Sequence, residues 1–273
     1  MKTILVPTDL SPSSINSTDY AAHLCKEVGA TLILMHVYML PTAVSEIPYV
    51  MVSAEELQQS SESGLRKEAE RVKSLVNTEV EWIAQLGMPS DEITFMAQEK
   101  NIDLIVMGMK GAGELDKLVG STTSAVIRKC HQPVLVVPEH ATYAPFRMVS
   151  YATDFSYTAD SSRFRALQFL INKFNASVVV VNIQKTAKID VAVQHAGKER
   201  LDQLFEGIDH SYQIIEDDDI DHGLLEFARQ HNPDLLVMVA HKHNLLERLF
   251  GAHHTRAMIY NTQTPLLVLH DSN

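Results

Sequence analysis

Cysteine is scarce in this chain: Cys25 and Cys130 are the only two in 273 residues. They fall in different predicted elements without metal-type spacing, which leaves no basis for a disulfide framework, and both read as small core residues. Basic clusters are missing as well. The formal net charge is −11, and with no Lys/Arg patch nothing could neutralise a phosphate backbone, so a nucleic-acid partner is excluded. No apolar run approaches the ~20 residues of a membrane span. Met1–Pro7 enters a strand pattern directly, without a signal-peptide h-region. The expectation is a cytoplasmic protein with no membrane partner. Catalytic constellations are absent too: no nucleophile, base and orienting residue fall together, and no paired carboxylates flank a glycine loop. The Gly-x-x-x-x-Gly-Lys-Ser/Thr string of a P-loop does not occur.

What the chain does contain is a repeat. At ~100–200 residues per domain, this length with 45% hydrophobic residues suits one large domain or two small ones. Thr3-Ile4-Leu5-Val6-Pro7-Thr8-Asp9-Leu10-Ser11 is echoed by Met148-Val149-Ser150-Tyr151-Ala152-Thr153-Asp154-Phe155-Ser156. Ala30–Val37 is echoed by Ala176–Ile183, Asn101–Met107 by Asn232–Met238, and Pro133–Val137 by Pro265–Leu269, all in the same order. Two units therefore follow, residues 1–140 and 145–273, joined around Glu139 to Phe146, where Pro138 and Pro145 punctuate the chain. Each alternates strand and helix, which predicts an α/β fold of two doubly wound domains, each a five-stranded parallel sheet with helices on both faces. In the first half the strands are expected over Thr3–Pro7, Thr31–Tyr38, Val80–Leu86, Leu104–Met107 and Val134–Val137. The helices are expected over Ser14–Val28, Ala54–Val76, Ser90–Glu99 and Thr122–Cys130.

The stretch Leu104–Gly113 leading to Gly120-Ser121-Thr122-Thr123 suits a phosphate. An apolar run without alternation reads as a strand covered on both faces. Gly108 directly after it can take backbone angles closed to other residues and let main chain meet ligand. Gly120 followed by Ser121, Thr122 and Thr123 opens a helix whose capping groups and dipole favour an anion. A Rossmann fingerprint does not account for these glycines, because Gly111-Ala112-Gly113 lacks the third glycine and follows the fourth strand. Asp9, Val37 and Gly108 all lie at or just past strand C-termini, where open α/β sheets bind ligands, so they are expected to line one crevice. Asp9 has two readings, a ligand contact or the N-cap of the first helix. Lys110 also has two, a phosphate contact or a solvated loop lysine. His36 is expected to be packed and hydrogen-bonded. The segment Met39 to Tyr49 is long enough to cover a ligand.

These residues resemble the universal stress protein family, and more narrowly its tandem members with two such domains in one chain. The resemblance spans essentially the whole sequence and rests on Asp9, Gly108, Gly111, Gly120 and Ser121. Between Gly111 and Gly120 lie eight residues, Ala112 to Val119, one fewer than in the usual family pattern. The resemblance implies an adenine nucleotide alpha hydrolase-like fold and ATP, ADP or AMP as ligand, with or without magnesium. It puts Asp9 near the ribose, the Val37 backbone near adenine, and the glycine loop of Gly108, Gly111 and Gly120 with Ser121 and Thr122 around the phosphates. Pro7, Thr8, Met107 and Lys110 complete the expected cofactor-binding residues. It also implies that Val134–Val137 and Leu266–Leu269 bring the halves together as an intramolecular pseudo-dimer, with a homodimer as a further option.

The second half departs from the first at the matching positions. Val239 stands for Gly108, Lys242 for Gly111 and Ala252 for Ser121, while Gly251 keeps Gly120, so one competent site is expected, in the first half. His241, His243, His253 and His254 flank the altered loop. They admit a metal site or a solvated, anion-contacting cluster. The function expected is a nucleotide-responsive regulator. The alternatives are a slow ATP hydrolase or phosphotransferase and a small-molecule carrier using the second half.

Overall fold

The computed structural model describes residues 1–40, 53–109, 120–155, 161–184, 191–240 and 263–270. In the first half β1 (Thr3–Pro7), α1 (Pro12–Val28), β2 (Thr31–Tyr38), α2 (Ala54–Val76), β3 (Val80–Leu86), α3 (Pro89–Glu99), β4 (Leu104–Gly108), α4 (Ser121–Lys129) and β5 (Val134–Val137) follow one another. The second half restarts with β6 (Met148–Ala152), α5 (Ser161–Phe174), β7 (Ser177–Gln184), α6 (Val191–Leu204), β8 (His210–Glu216), α7 (Ile220–His231), β9 (Leu235–Ala240) and β10 (Leu266–His270). Expected and observed elements differ only at their ends. Gly108 is the last residue of β4 rather than the first after it, and α4 begins one residue early, at Ser121.

Local chemistry sets the boundaries. Ser11 caps α1 by accepting the Ser14 N–H, and Gly29 ends it in the left-handed conformation, φ 71°, donating to the Cys25 carbonyl. Helix α2 opens with a capping box of Ser53 and Glu56 and closes on left-handed Asn77. Asp103 and Asp234 do the same work in their respective halves. Oδ2 of Asp103 accepts from the amides of Lys2 (2.6 Å) and Thr3 (3.0 Å), and Oδ2 of Asp234 accepts from those of Arg147 (2.7 Å) and Met148 (2.9 Å). Each carboxylate thereby ties the start of one central strand to the start of its neighbour.

All strands within a half are parallel, and the two halves join into one ten-stranded sheet ordered β3-β2-β1-β4-β5-β10-β9-β6-β7-β8. The join is antiparallel, with Leu266 opposite Val136, Leu267 opposite Leu135 and Val268 opposite Val134. One face is covered by α1, α2, α5 and α6, the other by α3, α4 and α7. Alternation along the joining strands sends Leu135, Val137, Leu267 and Leu269 into the first layer and Val134, Val136, Leu266 and Val268 into the second, so both apolar layers run unbroken across the seam. The connecting segment is pinned at its start, where Nδ2 of Asn16 donates to the carbonyls of Pro138 (3.0 Å) and Ala141 (3.2 Å). Both cysteines are buried; burial pushes the Cys25 thiol up to about 12 and the Cys130 thiol up to about 11, which leaves neither as a nucleophile at neutral pH.

A titratable cluster sits where α6 meets β8. Asp202 Oδ1 lies 3.0 Å from Nε2 of His210 and accepts from the Tyr212 hydroxyl at 2.6 Å. Partial burial works against the His210 imidazolium, but the Ile208 carbonyl and the Asp202 carboxylate outweigh it, and the net direction is upward. The Tyr212 and His210 hydrogen bonds move Asp202 downward. A raised histidine stabilises the fold below its unfolded value near 6.5 and loses that contribution as pH rises through the folded value. A lowered aspartate contributes above about 4 and loses it on acidification. His210→Gln should therefore lower the melting temperature more at pH 5.5 than at pH 8.5. Equal losses at both pH values would refute the assignment.

Candidate functional site: a crevice where the strand order reverses

The chain leaves β1 outward through β2 and β3, then crosses back to β4 on the other side, so the strand order reverses between β1 and β4. Crevices form at the carboxyl ends of such strands. Here the opening has a local cause. The β1–β2 ladder runs from Thr3–Thr31 to Pro7–Met35, but the β1–β4 ladder holds only Ile4–Leu104 and Leu5–Ile105. Pro7 has no N–H to donate, so the ladder on the β4 side stops short of it and the two strands part.

The crevice is lined by Pro7, Thr8, Asp9 and Ser14 from the first strand and helix, Met35 and Val37 from β2, Pro89 and Ile93 from α3, and Met107, Gly108, Thr122 and Thr123 around the β4–α4 junction. Seven of the sequence-predicted residues thus come together: Pro7, Thr8, Asp9, Val37, Met107, Gly108 and Thr122. Gly120 is buried behind this lining as the N-cap of α4, and Ser121 is exposed outside it. Lys110 and Gly111 lie outside the described residues, as do residues 41–49 of the expected covering segment and His241, His243, His253 and His254.

Buried Thr8 organises the turn that follows β1. Its amide donates to the Met35 carbonyl (2.8 Å), its hydroxyl donates to Ser14 Oγ (3.0 Å), and the same oxygen accepts the Leu10 N–H (3.0 Å). Leu10 adopts a left-handed backbone, φ 60°, and its Cδ1 occupies the space a Cβ on Gly64 would need, at 2.8 Å. Asp9 accepts the Ser11 N–H (3.0 Å) in a local turn. It does not cap α1, because Ser11 already meets the Ser14 amide. Its exposed carboxylate therefore borders the crevice mouth. His36 is half-buried and donates from Nδ1 to the Thr8 carbonyl at 2.8 Å. It supports the turn without lining the crevice.

On the opposite wall Gly120 donates to the Met109 carbonyl (2.7 Å), and the Thr123 hydroxyl donates to the Gly108 carbonyl (3.0 Å). These bonds hold the first turn of α4 against the end of β4. The N-cap Gly120 brings no capping side chain, and the positive end of the α4 dipole lies at this wall, where it favours an anion. Gly108 is paired in register with Val137 and needs no unusual backbone angles. What glycine contributes there is the missing side chain, which corrects the expectation drawn from its conformational freedom. Sequence reasoning missed Ser14, Met35, Pro89 and Ile93, and read Thr123 only as part of the helix start. Met35 could have been found two positions before Val37 on the same strand face, whereas Pro89 and Ile93 depend on where α3 crosses the sheet.

The second half repeats the turn but changes the strand ends beside it. The Thr153 amide donates to the Val181 carbonyl (3.0 Å), its hydroxyl accepts from Phe155, and Phe155 is left-handed at φ 64° against Gly197. Asn182 donates to the Thr153 carbonyl at 2.8 Å, as His36 does to that of Thr8. In place of Pro7, however, stands Ala152, and the β6–β9 ladder continues through Ala152–Met238. Val239 replaces Gly108 and is an ordinary buried strand residue opposite Leu269. Gly223 lets α7 press on the end of β7, where a Cβ would come within 2.8 Å of Ile183.

The model of the universal stress protein family matches residues 1–138 and again 145–270. The chain belongs to the universal stress protein family. This universal stress protein is 33% identical over 144 residues to one from Methanocaldococcus jannaschii, an alignment covering 50% of this chain and 81% of that one. It is 33% identical over 137 residues to a universal stress protein A homolog of Coxiella burnetii, covering 50% of this chain and 95% of that one. Among solved structures it is similar to a universal stress protein from Archaeoglobus fulgidus with a TM-score of 0.73 at 20% identity, over 99% of this chain and 97% of that one. At that identity the likeness speaks to fold, and it extends across both halves of this universal stress protein.

Proposed function

We propose that the first-half crevice binds an adenine nucleotide (ATP, ADP or AMP) and that the protein is a cytoplasmic, nucleotide-responsive regulator of the stress response with one competent site. Residues 1–140 form the binding unit, and residues 145–273 form a paired unit with a degenerate glycine loop. The observation that carries the reading is the parting of β1 from β4 at Pro7 beside the N-terminus of α4, whose N-cap is Gly120. That arrangement offers an apolar slot and an anion site side by side. Met35, Ile93 and Met107 supply apolar surface for a base, with the Val37 backbone at its edge, and Asp9 supplies a carboxylate for ribose hydroxyls. Gly108 and Thr122 border the phosphate side, which Lys110, Gly111, Gly120 and Ser121 would complete. Asp9 is the single carboxylate among the described lining residues, so magnesium arriving with ATP would be carried by phosphate oxygens. The same lining offers no histidine, lysine or second carboxylate for proton transfer, which favours binding over hydrolysis.

Denaturing the purified protein and quantifying released nucleotide should give one adenine nucleotide per chain, or one saturable site on titration if the protein purifies empty. Two per chain would overturn the single-site reading. No release together with no binding at ~1 mM ATP would overturn the nucleotide reading itself. Turnover above ~1 s⁻¹ that is lost in Gly108→Val would replace the regulator with an enzyme.

A further inference from the structure

Helix α4 forms one wall of the crevice at its N-terminus and meets the second half of the chain at its other end. It is nine residues long, about 13 Å at 1.5 Å per residue, so whatever fixes its C-terminus also fixes Thr122 and Thr123 at the crevice. The Cys130 amide closes the last helical bond, to the Val126 carbonyl (2.8 Å), and the chain then turns extended, with φ −81° and ψ 151° at Cys130. The next carbonyl, that of Ile127, is thereby left beyond the reach of the helix's own amides. Ile127 is fully buried, and a buried carbonyl at a helix end needs a donor from elsewhere.

That donor comes from the second half. Antiparallel pairing with β5 carries the end of β10 to the start of β5, beside the C-terminus of α4. There His270, the last residue of β10 and 8% exposed, places Nε2 at 2.7 Å from the Ile127 carbonyl oxygen. A carbonyl only accepts, so Nε2 carries the proton. The same end of α4 is tied to α3. Lys129 Nζ donates to Asp91 and to Ser90 Oγ (3.2 Å), and Gln132, two residues past Cys130, donates to the Ala97 carbonyl (3.0 Å). Helix α3 in turn supplies Pro89 and Ile93 to the crevice. The contact is not a by-product of the repeat. Pro138 stands at the position matching His270, and a proline side chain has no donor.

We propose that His270 is a positioning residue for the first-half crevice: the second half clamps α4 through the Ile127 carbonyl and so sets the affinity of the site at the other end of that helix. The proposal rests on the reading of the crevice as a nucleotide site. It gives the half with the altered glycine loop a part in binding that needs no ligand of its own. Coupling of this kind is reciprocal, so a nucleotide held at the N-terminus of α4 strengthens the His270 contact in return.

The test compares full-length wild type with His270→Leu, which keeps apolar bulk and removes the donor, and His270→Gln, whose amide can restore it. Without ligand, hydrogen exchange across residues 121–129 should run at least about tenfold faster in His270→Leu, with β7 unchanged, and within about twofold of wild type in His270→Gln. Calorimetric titration should find ATP binding at least about fivefold weaker in His270→Leu and restored to within about twofold in His270→Gln. In the unmodified protein, which needs no variant to fold, saturation with ATP should shift the imidazole NMR signals of His270. Unchanged exchange in α4 would overturn the clamp, whether or not the protein binds ATP. Faster exchange with unchanged ATP affinity, or His270 signals indifferent to ATP, would overturn its coupling to the crevice. A wild type that binds no ATP would overturn the nucleotide reading, and the clamp would then stand or fall on exchange alone.

Discussion

Gly108→Val is expected to weaken adenine-nucleotide binding at least ~100-fold, equivalent to about 2.7 kcal/mol, while leaving the melting temperature unchanged or slightly raised. The position lies at the crevice wall, and its carbonyl is held by the Thr123 hydroxyl at 3.0 Å. By alternation a branched side chain there points to the α1 face of the sheet, as Val239 does in the second half, and narrows the crevice on the side of the β1–α1 turn. The strand itself has no objection to valine. Val239 occupies the matching rung of the second half, buried and paired with Leu269 just as Gly108 is paired with Val137. Glycine is a poor strand former and valine a good one, so folding should not suffer. Calorimetric titration with ATP alongside a thermal melt separates the two effects. An affinity within threefold of wild type would sink the placement of the phosphates beside Gly108. The reverse change, Val239→Gly, should not by itself create a second site, because the Ala152–Met238 rung remains and Lys242 and Ala252 stand where the first half has Gly111 and Ser121.

Leu267→Ala should destabilise the whole chain by roughly 2–5 kcal/mol and lower the melting temperature by roughly 5–15 °C. Leu267 is fully buried, stands opposite Leu135 across the seam and beside Val237 in its own half, and belongs to an apolar layer that contains residues of both. Removing it leaves a cavity at the join rather than inside either half. Because both layers cross the seam, the variant should still melt in a single transition shifted as a unit. Two resolved transitions, with one half retaining the wild-type midpoint, would refute a shared core.

Much of this architecture is legible in the amino-acid sequence. The echo of Thr3–Ser11 in residues 148–156, and of Asn101–Met107 in Asn232–Met238, implied equivalent strand partners, and the ladders bear it out: Ile4 pairs with Leu104 and Val149 with Leu235. The seam between β5 and β10 came from family resemblance, since four apolar residues in a row carry no information about which strand they will meet. The crevice was legible at its strand ends and obscure elsewhere. Pro7 looks like an unremarkable strand terminus until its neighbour β4 is in place, and only then does its missing N–H become the reason the strands part. Pro89 and Ile93 carry no local signal, because their contribution is set by where a helix lands. Asp9 as a helix cap was a sound local inference that lost to Ser11, two residues closer to the amide it satisfies.

The connecting segment, with Asn16 gripping Pro138 and Ala141 and Tyr143 wedged between Tyr20 and His23, has a consequence for stoichiometry. Separate subunits that meet through their last strands would reshuffle at every encounter, and their pairing would fade on dilution. A short tether replaces that bimolecular equilibrium with an effective concentration in the millimolar range or above. Dilution cannot part the halves, and a free copy cannot readily displace either one. Each molecule is thereby a fixed pair of unlike halves, and on the single-site reading proposed above every nucleotide bound would report on a whole chain.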